Sequence, residues 1–198
     1  MTVRVYVPST LAGLQVLQRD GELFPLGGTV FGVTAALREA YTSGDDEELA
    51  EAAMRHAARA SLRLLAVDDG DGADGTGADA TGADGTGSDG TDAHQGDDGS
   101  DEANPIRRVV ITVDVPAAKE RPDLDDAVLR VTEPIRLNEV VAVHVDVSDA
   151  EEAVVRAAQV VDAADLGDED AELTVGDAED HDLAWYATQE LPFLLELL

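Results

Sequence analysis

The chain has 198 residues, of which 44% are apolar, enough for the core of one ordinary domain, and it sets 13 Lys and Arg against 43 Asp and Glu for a formal charge of −30. Such a charge works against nucleic acid and against anionic membrane surfaces, since both need Lys and Arg to displace counterions or meet phosphates. The absence of cysteine removes disulfide frameworks, thiolate zinc sites and cysteine nucleophiles.

Arg4 and Pro8 interrupt the N-terminus before an apolar signal core can form, and no long apolar run follows, so a cytoplasmic setting is expected. Lys119 is the sole lysine, and this Arg-for-Lys bias among many Ala, Gly, Asp and Val residues fits a GC-rich genome or a salt-adapted proteome.

Val3, Val5 and Val7 alternate with Arg4 and Tyr6, which predicts a half-buried strand ended by Pro8. Ser9 or Thr10 then caps a helix carrying Leu11, Leu14 and Leu17 and stopping near Asp20-Gly21. A glycine-rich passage through Gly27, Gly28 and Gly32 reads as a connecting loop, because neither phosphate-binding glycine motif is present. Thr34 caps a short helix to Tyr41. Asp45 and Asp46 open a long one to about Leu65, with Glu51 and Arg55 as an i,i+4 pair.

Residues Asp68 to Glu102 hold 12 acidic side chains, 10 glycines and no Lys or Arg. With no apolar surface to offset ordering entropy, a disordered insertion over 68–104 within a single domain spanning 1–198 is expected. Asp69, Asp71 and Asp74 do not fit the EF-hand spacing, and the repeats lack the apolar residue of a calcium β-roll. Outside the tract 31 acids still face 13 bases.

Beyond it, Val109, Ile111, Val113 and Val115 alternate with Thr112 and Asp114, giving a second strand. Ala127 to Val131 forms a short edge strand, and Val141, Val143, Val145 and Val147 alternate with His144 and Asp146 in the clearest strand of all. Ser148 or Asp149 caps a helix with Ala153, Val154, Ala157, Val160 and Val161 on its apolar face. Leu183, Trp185 and Ala187 mark a last strand before a C-terminal helix over Leu191 to Leu198.

This order predicts an α+β fold: a four-stranded, mainly antiparallel sheet with helices on one face, in the ferredoxin-like split β-α-β arrangement. The first strand would lie between the last and the one bearing His144. Its open face would gather Arg4, Tyr6, Thr112, Asp114, His144, Asp146 and Tyr186.

The segments Val5-Tyr-Val-Pro8, Val33-Thr-Ala-Ala-Leu-Arg-Glu-Ala-Tyr41, Asp45-Asp-Glu-Glu-Leu49, Ala60-Ser-Leu-Arg-Leu-Leu65 and Glu179-Asp-His-Asp-Leu-Ala-Trp-Tyr-Ala-Thr-Gln-Glu-Leu-Pro192 carry a resemblance. Together they resemble a family of uncharacterised actinobacterial proteins, a domain of unknown function. The resemblance covers nearly the whole chain outside the acidic tract. It implies a bacterial cytosolic protein and brings no activity or catalytic residues with it.

Two functions compete. One is a non-enzymatic acidic interaction or regulatory module that meets a basic protein partner, mimicry of nucleic acid being one version. The other is a small metal-dependent or acid/base enzyme on the open face. Its candidate catalytic residues are His144, Asp146, Arg4 and Tyr6, and its candidate metal ligands are His144, Asp146 and His181. A solvated polar face explains the same residues without chemistry. No nucleophile motif accompanies them, so covalent catalysis is disfavoured and no cofactor is called for. The apolar C-terminus, from Trp185 and Phe193 to Leu198, is expected to dock on its own core, with a homodimer contact as the alternative.

Overall fold

The computed structural model describes residues 2–41, 44–71 and 105–198. In chain order the elements are β1 (Val3–Ser9), α1 (Leu11–Asp20), β2 (Glu22–Leu23), β3 (Thr29–Phe31), α2 (Ala35–Ala40), α3 (Asp46–Asp71), β4 (Val109–Val115), β5 (Lys119–Glu120), β6 (Val128–Arg130), β7 (Ile135–Arg136), β8 (Val140–Asp146), α4 (Glu151–Asp165), α5 (Glu169–Glu179), β9 (Leu183–Ala187) and α6 (Leu191–Leu197).

Short polar side chains set several helix ends. Thr10 accepts from the Gly13 N–H at 3.2 Å to start α1, and Gly21, at φ 78°, ends it. Thr34 accepts from the Leu37 N–H at 3.0 Å to start α2, while its hydroxyl donates to the Asp126 carbonyl and ties that helix to the approach to β6. Before α3, Asp45 Oδ1 accepts from the Glu47 and Glu48 N–H groups at 3.0 Å, and the Glu48 carboxylate accepts from the Asp45 N–H at 3.1 Å, a reciprocal capping box.

The expected caps of α4 are not used. Ser148 and Asp149 form a 3-10 turn, and Ala150 leads into the helix with no side-chain cap. α3 continues to Asp71, past the expected end at Leu65. Of the disordered insertion expected over 68–104, residues 68–71 belong to α3 and residues 72–104 lie outside the described residues.

Among the described residues the sheet has seven strands in the order β5–β6–β3–β1–β4–β8–β9, every neighbouring pair antiparallel, where four were expected. β1 is flanked by β3 and β4, not by the last strand and the His144 strand. The reason lies at the upper end of β1. The buried Ser61 hydroxyl on α3 donates to the Ser9 carbonyl at 2.7 Å and accepts from the Val109 N–H at 3.1 Å, so the chain returns beside Ser9 and runs back along β1. Pro8 stays inside β1, because β3 pairs with that strand only at Tyr6–Phe31 and asks nothing of the residue lacking an N–H. The stretch around Leu129 is interior, not an edge, since β5 pairs beyond it.

Helices cover both faces, which corrects the one-sided layering. On the first face Val5, Val7, Val109, Ile111, Val143 and Val145 pack under Leu11, Leu14 and Leu17 of α1 and Leu191 and Leu194 of α6. On the second, Tyr6, Phe31, Val110 and Val128 pack under Leu37 of α2 and Leu49, Ala53 and Ala57 of α3. An outer α4–α5 hairpin joins α3 through Leu62, Leu65, Val154, Val161 and Val175. The C-terminal helix is thus docked on its own core by Leu191 and Leu194, with Phe193 and Leu197 left exposed. Gly28, at φ 69°, lets β3 approach β6 so closely that a Cβ there would run into the Val131 carbonyl.

Candidate functional site

Strand alternation sends Arg4 and Tyr6 of β1, Thr112 and Asp114 of β4, and His144 and Asp146 of β8 to the second face. Register places Arg4 opposite Asp114, Tyr6 opposite Thr112, Val110 opposite His144, and His144 opposite Trp185 of β9. The face then divides according to what covers it.

At the covered end, Asp146 and Arg108 are among the most deeply buried polar groups, 0% and 1% exposed. Arg108 donates Nε–H to Asp146 Oδ2 at 2.9 Å and Nη2–H to Oδ1 at 2.7 Å, and its backbone N–H adds a third bond to Oδ2 at 2.7 Å. The same guanidinium donates to the His181 carbonyl at 2.8 Å, which pins the turn between α5 and β9. A bidentate pair carrying these extra bonds is satisfied, and its role is structural.

Asp146 therefore does not orient His144, and the acid/base pair expected from their spacing is not formed. Nor is the ligand set His144, Asp146 and His181 assembled: Asp146 is engaged by Arg108, and His181 reaches that cluster through its backbone. Among the described residues no group of three His, Asp or Glu is gathered closely enough to hold a metal ion.

The other end is open. Arg4, Tyr6, Thr112, Val141, Ala142, His144 and Trp185 line a cleft of about 300 Å³ closed on one side by Ala50, Glu51 and Met54 of α3. Arg4 donates to both oxygens of Asp114, at 2.9 and 3.0 Å. That pairing raises the guanidinium pKa and lowers the carboxyl's, so the two charges offset each other. His144 Nε2 lies 3.1 Å from the Thr112 hydroxyl, and burial lowers its pKa, which favours the neutral ring. Burial likewise raises the pKa of Tyr6.

Past Glu51 and Met54, which border both parts, the groove continues to Glu179, Asp180, His181 and Asp182. Of these, Glu179 is paired with Arg59 at 3.3 Å. The two parts together carry the His144 imidazole, the Trp185 indole and the exposed carboxylates of Asp180 and Asp182, with Arg4, Arg55 and Arg108 also on their lining and Glu51 paired to Arg55 at 3.3 Å.

Arg4, Tyr6 and His144 thus line one cleft, while Asp146 and Tyr186 do not. Tyr186 packs against the first face with α6, and Trp185 occupies the place expected of it. Glu51, Met54 and Trp185 were not singled out for this cleft from the sequence. The signal for Trp185 was parity: once it stands opposite His144, the indole must share the imidazole's face.

Among the described residues, no helix is long and apolar enough to cross a membrane. A search of curated proteins and a search of solved structures each returned no match. Residues 3–195 match the model of DUF6912, a family of unknown function, and the chain belongs to that family.

Proposed function

We propose that this member of DUF6912 is a non-enzymatic interaction module that binds a basic protein segment in the cleft between α3 and β9. The observation that carries this reading is Trp185, 60% exposed on a cleft wall in a chain of charge −30. An exposed indole beside exposed carboxylates suits arginine, whose guanidinium stacks on aromatic faces and pairs with carboxylates. Binding is favoured over catalysis because the polar groups of the face already engage one another: Arg4 with Asp114, His144 with Thr112, and Asp146 with Arg108.

Trp185 is the only tryptophan, so its emission reports on this site alone. Titration with an alternating Arg-Val octapeptide is expected to shift that emission to the blue, saturably, and less tightly as salt rises. Emission that stays fixed, or that responds equally to a Glu-Val peptide, would overturn the proposal.

A further inference from the structure

The cleft wall that carries Trp185 is also the end of the sheet. Among the described residues β9 is hydrogen-bonded to β8 on one side and to no strand on the other, and all five of its residues are at least partly exposed. Antiparallel strands turn the backbone groups of alternate residues toward alternate neighbours. The Ala187 N–H donates to the Glu190 carboxylate at 2.7 Å, away from β8, so the outward-facing positions are Leu183, Trp185 and Ala187. Apart from the ladder with β8, Leu183 and Trp185 make no backbone hydrogen bond among the described residues. A row of backbone donors and acceptors is therefore available beside an exposed indole.

From this edge we infer that the basic segment binds as an added strand, extending the sheet beyond β9; the inference rests on the reading above and specifies its mode. An added strand would present alternate side chains to the two faces of the sheet. Those on the Trp185 face lie toward the exposed Asp180 and Asp182, where arginine is complementary; Glu51 is already paired with Arg55. Those on the opposite face lie on the side of Tyr186 and α6, where apolar residues are complementary. The occupant is thus an extended segment with basic and apolar residues in alternation.

A second copy of this chain is the competing occupant, and charge disfavours it. Two β9 edges paired antiparallel about Trp185 would bring the Asp180–Asp182 end of one copy toward the Glu190 end of the other, and all three acids are exposed. Like charges placed opposite each other across a sheet edge repel.

The test compares the Arg-Val octapeptide with two versions in which every second amide is N-methylated, one version for each phase, followed by Trp185 emission and calorimetry on the full chain. Strand addition is one-sided. One phase is expected to weaken binding about tenfold or more, as amides facing β9 are lost, and the other to stay within about threefold of the parent. If both phases bind like the parent, or both weaken equally, the strand mode is overturned while binding of a basic segment stands. If the parent peptide itself does not bind, both fail. A free chain that sediments as a dimer, and becomes a monomer on Leu183→Pro, would give the edge to a second copy and overturn the inference.

Discussion

His144 and Asp146 stand two residues apart on one strand and point to the same face of one sheet, yet they end in opposite environments. Asp146 is fully buried where Arg108 saturates it and, through the His181 carbonyl, ties down the turn after α5. His144 lies where the cover stops at Glu51 and Met54, against a hydroxyl and an indole that solvent reaches. Spacing along a strand fixes a shared face and nothing about shared surroundings. What distinguishes the two residues is the edge of a helix from a distant part of the chain.

The largest effect is expected at the closed end. Asp146→Ala leaves the Arg108 guanidinium buried without its partner and should cost about 3–5 kcal/mol in urea denaturation. Pairing the change with Arg108→Met should recover much of that loss. A single-variant loss under about 1 kcal/mol would mean that this end is as open as the other. Ser61→Ala removes the hydroxyl that joins Ser9 to Val109 and should cost about 1–3 kcal/mol by the same measurement.

At the open end the same chemistry counts for less. Arg4→Ala breaks an exposed bidentate pair and should change stability by about 0–1 kcal/mol, an effect that shrinks in high salt. Equal losses for Arg4→Ala and Asp146→Ala would erase the contrast.

The smallest signal is a slope with pH. Burial holds the His144 pKa in the folded protein below its unfolded value, so on acidification the unfolded chain takes up the proton first. Wild type should lose stability relative to His144→Gln as pH falls through about 6.5 and on through the folded pKa, with no difference well above that range. Parallel stability curves from pH 8 down to pH 5 would contradict the burial of this ring.

Much of the scaffold could be read in advance from side-chain chemistry close in sequence. Thr10 and Thr34 act as the predicted caps, Asp45 opens the long helix, and Val5, Val7, Val109, Ile111, Val113, Val115, Val143 and Val145 turn inward together. Val3, Val141 and Val147, expected beside them, are exposed, Val147 because β8 ends at Asp146 and Val141 because it faces the cleft. What escaped were features made by distant pairing. β2, β3, β5 and β7 are two or three residues long, too short for alternation to declare them, and they exist because a neighbouring strand holds them. α5 was missed because its buried residues, Ala171, Val175 and Ala178, are small and set among acids and Gly176.

The cover on the second face did leave a trace, since Val109, Val110 and Ile111 run consecutively, as strands buried on both sides do. For the cleft, Arg4, Tyr6 and His144 were reachable from alternation. The choice between Trp185 and Tyr186 was not, because a one-residue shift of register exchanges their faces.

Backbone amide shifts recorded while the Arg-Val peptide is added test the division of the face most directly. Perturbations should concentrate at Leu183 to Ala187, His144 and Met54 and should leave the amides of Arg108 and Asp146 in place. Changes centred on the exposed Phe24 and Leu26, which line a separate apolar depression with Leu64 and Val67, or spread evenly over the acidic helices, would contradict the account.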